Sequence, residues 1–363
     1  MVRVSAQPRD RGKARIIGNP RPVVPYFVHC NNNNEDEDNH NKECYESFLP
    51  LDYQRKKEKF HVRRASDTQN QTLMVTDESQ IKELECVGMV ARQVLDAALM
   101  KAQGCNVSTN DICQFIQMRL DSSISVLSSS SSSSSNMALL DRLIFTNVNE
   151  VAFGGIPDDR ILQAGDLLSI DIRLANPLNG LFIEVCDSIV VPSLGNDDDN
   201  FNRMENSDQV LDSHEERAEA LVKACRDITE IAISQCRPGE PITSVGTAVY
   251  EVANEFGYQP VRKVDNSGVS MLGVESLNIH YFQNTKDENG GLFLPGMVFV
   301  IGPIIVEGHF SLSSWRNGCT FATNDSGLTA QLKQTVYVDE EGTRILKRNS
   351  RNFDKSKTKL MVL

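Results

Sequence analysis

The sequence predicts an α/β fold built from one helix–helix–hairpin unit used twice, on three observations. Two pairs of stretches carry apolar residues at helical spacing, near 81–116 and 218–256. Each pair is followed by β-rich runs, and one of those runs is split by Asn179-Gly180, a hairpin signal. The second set starts a hundred-odd residues after the first, so the unit reads as a pseudo-twofold duplication.

The first helix begins at Ser79, with Ile81, Leu84, Val87, Ala91, Val94, Leu95 and Ala98 on one face, and Gly104 stops it. Ser108 with Asp111 makes a capping box that opens the second helix, whose inward residues are Ile112, Phe115 and Ile116. Eight serines, Ser128 to Ser135, then offer nothing to bury and read as a loop. From Ile144 to Val191 the strands FTNVNEVAF, LLSIDIRL and LFIEVCDSIVV follow. An acidic, Asn-rich loop spans 195–208. Ser213 with Glu216 caps the third helix, which carries Ala218, Leu221, Cys225, Ile228, Ile231 and Ala232 and ends at Pro238-Gly239. The fourth holds Val245, Val249, Val252, Ala253 and Phe256, closed by Gly257. Strands resume over Met297–Val306 and Gln334–Val338.

Residues 1–75 show no sustained period. They include an Asn/Asp/Glu/His tract at 31–41 and a basic stretch at 55–64, and read as a disordered extension. The folded domain is expected over 76–347, with a flexible tail at 348–363. Arg3, Arg9, Arg11, Lys13, Arg15 and Arg21 resemble a mitochondrial presequence in charge, but Pro8, Gly18, Pro20 and Pro22 would break its helix. The compartment is left between cytoplasm and mitochondrion. Arg63-Arg64-Ala65-Ser66 has the form of a basic-directed phosphorylation site, but such tetrapeptides arise often by chance and the preferred reading is an exposed linker.

The formal net charge of -12 argues against nucleic acid or anionic membrane as a partner. No apolar run approaches a membrane span. Nine scattered cysteines without a C-x-x-C pair suit a reducing compartment, and cysteine and histidine never cluster at zinc-ligand spacing.

Several stretches resemble one family: VGMVARQVLDAAL, NVNEVAFGGIPDDRILQAGDLLSIDI, NGLFIEV, LPGMVFVIGPIIVEG and GLTAQLKQTVYVDEEG. Together, over about 79–346, they resemble the methionine aminopeptidases of the aminopeptidase P/creatinase superfamily, and the IIVEG wording leans towards the mitochondrial, D-type branch of type 1 enzymes. The resemblance implies the pita-bread fold. In active members five side chains hold two divalent metals (cobalt, manganese, iron or zinc), which turn water into a nucleophile.

Carried over position by position, the resemblance implies a dismantled site. The first metal-binding aspartate matches Asp171, and the second matches Glu184, one methylene longer. The ligand histidine falls at Ser267, and the two ligand glutamates at Gly302 and Lys333. The catalytic histidines fall at Gly154 and Val274, and no histidine lies between His214 and His280. No metal or other cofactor is therefore expected. Lys333 is expected to put an ammonium between Asp171 and Glu184, a tethered substitute for the metals. The alternatives are a lysine turned to solvent and two carboxylates that are ordinary strand residues.

The serine tract stands where active relatives shape the methionine pocket. Metal-free chemistry of the creatinase kind would need a pocket histidine, and no G-x-S-x-G elbow supports a serine hydrolase. The expectation is thus a catalytically inactive relative, not an enzyme, that binds a peptide N-terminus, a protein partner or an active paralogue. The alternative is a residual metal-dependent aminopeptidase that removes N-terminal methionine.

Overall fold

The computed structural model of the chain describes residues 75, 77–130, 140–176, 181–192, 214–261, 281, 291–317 and 319–346. The readings made for residues 1–74, most of the serine tract, the Asn179-Gly180 turn, the 195–208 loop, Ser213, Ser267, Val274 and the C-terminal tail lie outside these residues.

Two helices open the described chain. Helix α1 (Glu78–Ala102) is capped by Asp77, whose Oδ1 accepts from the Ser79 amide at 2.8 Å. The helix thus starts one residue earlier than the apolar pattern indicates, with Asp77 as its cap. Glu78 in the first turn and Lys101 in the last complement the helix dipole. Helix α2 (Thr109–Ser130) opens on the reciprocal capping box: the Asp111 amide donates to Ser108 Oγ at 3.0 Å, and the Ser108 amide to Asp111 Oδ2 at 2.8 Å. Ser128 to Ser130, expected to be loop, continue α2 instead. Extending a formed helix gains a hydrogen bond per residue, against a serine propensity cost of only about 0.5 kcal/mol.

Strands β1 (Asp141–Val148), β3 (Leu167–Ala175) and β4 (Phe182–Val190) form an antiparallel sheet in the order β1-β3-β4. The stretch FTNVNEVAF is not one strand. It breaks at Asn149, with φ of 55°, and resumes as β2 (Val151–Phe153). The turn is pinned from its side chain: Asn149 Nδ2 donates to Asp166 Oδ1 at 2.7 Å, and its Oδ1 accepts from the Leu167 amide at 2.9 Å. Both Arg160 guanidinium nitrogens reach Asp166, at 2.7 and 2.8 Å, fixing the start of β3.

Helices α3 (His214–Gln235) and α4 (Thr243–Glu255) begin the second unit. The run from Met297 to Val306 is divided into β6 (Val298–Ile301) and β7 (Ile304–Val306), because Pro303 has no N–H to offer a ladder. β6 pairs with β11 (Gln334–Val338), which also carries β12 (Thr343–Ile345). β7 lies between β10 (Thr329–Gln331) and β5 (Gln259–Pro260). β8 (Leu312–Ser314) and β9 (Phe321–Thr323) extend β2 into a further small sheet. The sequence pattern did not announce β5, β8, β9, β10 or β12, which are two or three residues long.

Each unit buries its own core. α1 and α2 pack on the first sheet through Leu84, Val87, Leu95, Ile112 and Ile116 against Ile170, Ile172 and Ile183. α3 and α4 cover the second set through Leu221, Ile228, Val245 and Val249 against Phe299, Ile305 and Val336. Helices therefore lie outside and strands inside, the α/β pita-bread arrangement. Among the described residues no helix is long and apolar enough to cross a membrane.

Candidate functional site

Strand register decides which side chains share a face, since directly paired residues point the same way. Across β3 and β4, Asp171 faces Cys186 and Arg173 faces Glu184. Cys186 is bridged in turn to Lys333, in the link between β10 and β11. Gln334 pairs with Ile301, so Lys333 lies beside Gly302. One face of these bridged strands thus gathers Asp171, Arg173, Glu184, Lys333 and Gly302, drawn from both units.

The Lys333 Nζ donates to Asp171 Oδ2 at 2.5 Å and to Glu184 Oε1 at 2.7 Å. Lys333 is 8% exposed, and Asp171 and Glu184 are each 5% exposed, so these charges interact in a medium that screens them weakly. Arg173 Nε lies 3.4 Å from Glu184 Oε2, and its guanidinium rests over the Phe182 ring at 4.2 Å. Two carboxylates and two cations balance.

The two acids respond differently. Burial, with Glu184 nearby, pushes Asp171 up to about 6 even though Lys333 draws it down. Burial opposes ionisation of Glu184 as well, but Lys333 and Arg173 together hold it below the usual carboxylate range. The difference has a geometric origin: Glu184 has a cation at each oxygen, whereas Asp171 Oδ1 is buried without a hydrogen-bond partner among the described residues. Burial disfavours the lysine charge, yet Asp171 and Glu184 hold it above the ordinary lysine value.

The other two described positions are glycines. Gly154 has φ of 68°, a conformation that L side chains rarely adopt. A Cβ there would lie 2.9 Å from the Cys319 carbonyl carbon and closer still to its oxygen. Thr320 Oγ1 donates to the Gly154 carbonyl at 2.7 Å, and the Gly155 amide to Asn147 Oδ1 at 2.8 Å, so the segment is held from both sides. The Gly302 amide donates to Tyr281 Oη at 2.8 Å.

The described residues do not fit a two-metal centre. An ammonium lies within hydrogen-bonding distance of both carboxylates, where a cation would have to sit, and position 302 supplies no donor. Among the described residues no group of three or more His, Cys, Asp or Glu is placed to hold a metal ion. Arg173, Tyr281 and Cys319 were missed by sequence reasoning. Arg173 stands two residues from Asp171 on the same strand face, a spacing that points to it directly.

The sequence matches metallopeptidase family M24 over residues 82–340. It is 25% identical over 283 residues to methionine aminopeptidase 1 of Dictyostelium discoideum, covering 78% of this chain and 69% of that protein. It is 27% identical over 267 residues to methionine aminopeptidase 1 of Saccharomyces cerevisiae, covering 74% and 62%. Against methionine aminopeptidase 1b of Plasmodium falciparum the match spans 49% of the relative, so part of these relatives' length has no counterpart in the match.

Among solved structures, the methionine aminopeptidase of Thermotoga maritima aligns with a TM-score of 0.58 at 17% identity, over 76% of this chain and 100% of that one. A streptococcal methionine aminopeptidase aligns with a TM-score of 0.60 at 17% identity, over 78% and 99%. These likenesses establish the fold. By its match over 82–340, the chain belongs to metallopeptidase family M24, as a methionine aminopeptidase-like member with the pita-bread fold.

Proposed function

We propose that this chain keeps the methionine aminopeptidase scaffold for binding and does not cleave peptides. One observation carries the reading: Lys333 Nζ contacts both Asp171 and Glu184, in the place where metals would need those oxygens. A dimetal centre activates water by concentrating positive charge on it, and it needs shared carboxylate or imidazole ligands. Here the positive charge is an ammonium tethered to the backbone, which is not a Lewis acid and has no coordination position to offer a water. The Gly154 backbone, packed on the Cys319 carbonyl, further supports a site without its catalytic histidine.

What remains is a folded α/β scaffold. A peptide N-terminus, a protein partner or an active paralogue is the class of occupant proposed for it, in the cytoplasm or the mitochondrion. The retained carboxylates Asp171 and Glu184 favour one second reading, a residual metal-dependent aminopeptidase.

The test is metal content by elemental mass spectrometry of the purified full chain after loading with manganese or cobalt. It is paired with an assay of methionine release from an N-terminal methionine peptide. The proposal expects neither bound transition metal nor released methionine. Near-stoichiometric metal together with methionine release would replace it with the aminopeptidase reading.

A further inference from the structure

The Lys333 side chain does not reach the carboxylates through open space. It lies along the backbone of Gly302, across the β6–β11 pair. A Cβ on Gly302 would stand 3.1 Å from Lys333 Cβ, 3.3 Å from its Cα, and well under 3.0 Å from its Cγ. The conflict involves the root of the lysine side chain, which cannot swing away as a terminal atom can. Gly302 cannot retreat easily either: Tyr281 Oη holds its amide at 2.8 Å, and Pro303 follows it.

The φ of Gly302 is not in the left-handed region, so glycine is not required there by backbone conformation. The space is what requires it. Any side chain at 302 and the inward lysine at 333 compete for one volume.

We infer that Gly302 is the positioning residue of this site: its missing side chain is the channel through which Lys333 reaches Asp171 and Glu184. The inference deepens the reading above and rests on it, because the channel matters where Lys333 fills the metal position. Glycine at 302 and lysine at 333 then form a matched pair. One removes volume beside the sheet, and the other fills that volume with a methylene stem ending in a charge. A side chain restored at 302 would expel the lysine and leave both carboxylates buried without it.

The test is a double-mutant cycle in the full chain: Gly302→Ala, Lys333→Ala and the combined variant, read by thermal melting. It is joined by reductive methylation of lysines mapped by peptide mass spectrometry. Alanine adds only the Cβ, so it tests volume without adding a donor. Gly302→Ala is expected to lower the melting temperature and to raise Lys333 labelling about tenfold, as overpacking opens the site.

In the Lys333→Ala background the same substitution is expected to cost clearly less, since the closest atom, Cγ, is gone while Cβ and Cα, at 3.1 and 3.3 Å, remain. An equal loss in both backgrounds, with Lys333 labelling unchanged, would overturn the inference and assign the cost to the strand itself. Should Gly302→Ala fail to fold, folding of the combined variant supports the inference and its failure refutes it. The metal content of the unmodified chain decides the proposed function separately and leaves the outcome of the cycle standing.

Discussion

Cys186 and Lys333 exchange both backbone hydrogen bonds, at 3.2 and 3.1 Å, and this isolated bridge ties β4 of the first unit to the link between β10 and β11 of the second. The lysine backbone is therefore held on β4 whatever its side chain does. Substitutions at 333 test the charge in the site without releasing the strand.

Lys333→Met is expected to cost about 3–5 kcal/mol at neutral pH, the penalty for removing one partner of a buried charge cluster. The effect carries a pH signature. Without the ammonium, burial raises both carboxylates in the folded state, so they gain charge there at higher pH than in the unfolded chain. Stability conferred by the neutral acids is present below the unfolded carboxylate range and is lost as pH rises through the folded values. In the unmodified chain Glu184 is held low, and only Asp171, raised from 3.8 to about 6, shows this loss. Denaturant titrations should find the gap between the two proteins small near pH 4 and wide near pH 8. A gap independent of pH would mean that Lys333 contributes packing alone.

Adding Asp171→Asn to Lys333→Met removes one anion along with the cation and leaves Glu184 beside Arg173 at 3.4 Å. Recovery of about 2 kcal/mol is expected relative to Lys333→Met, since balanced removal of a buried pair is far cheaper than breaking it. Adding Glu184→Gln instead removes the carboxylate nearest Arg173 and should recover less. Equal recovery in denaturant melts would contradict the assignment of Arg173 to Glu184.

Much of this site could be read from one-dimensional pattern because it lies on regular strands. Asp171 and Glu184 sit in apolar runs divided by a hairpin signal, so their facing strands follow from the alternation. Arg173 obeys the same alternation, but its charge in a β-rich run reads as solvent-facing until β3, buried at all but its last residue, is seen. Gly302 could be recognised as a replaced position, whereas its role as space for Lys333 depends on sheet register across residues far apart in sequence. Helices α1 to α4 were legible from their apolar stripes. The short strands β8 and β9 are too brief to show a period and owe their conformation to pairing with β2 and with each other.

Gly302→Glu with Lys333→Glu returns two carboxylates beside Asp171 and Glu184. The double variant is expected to bind about one manganese ion per chain by isothermal calorimetry, as four oxygen donors on one face suffice for a hard divalent ion. Gly302→Glu alone should bind far less tightly than the double variant, because the displaced Lys333 ammonium stays tethered beside the carboxylates and competes with the metal for them, and Lys333→Glu alone should bind weakly at most. Binding by Gly302→Glu alone as tight as by the double variant would show that the displaced lysine no longer opposes the metal.

On the helix side of β4, Asp187 ties the two units a second time. Its Oδ2 accepts from Arg92 of α1 at 2.9 Å, and its Oδ1 from Arg226 of α3 at 3.0 Å. Asp187→Ala removes the shared carboxylate, leaving Arg92 paired to Asp96 alone and Arg226 on the Ser188 carbonyl. A loss of about 2–3 kcal/mol is expected, below the fully buried range because Arg226 is partly exposed. Amide exchange should quicken in α1 and α3 together. Quickening in one helix only would mean that the aspartate belongs to that unit and does not bridge them.

Gly154→His introduces the residue that the family resemblance implies at this position, yet it is expected to lower stability and to yield no methionine release. The left-handed backbone alone costs a non-glycine residue about 1 kcal/mol or more, and the Cβ would meet the Cys319 carbonyl. Relief requires moving the 154–155 segment, which Thr320 and Asn147 hold, so the imidazole enters only by breaking those bonds. Even then Lys333 stands on the carboxylates. A melting temperature unchanged by Gly154→His would show that the segment shifts freely, and methionine release by this single variant would show that the remaining residues still support the chemistry.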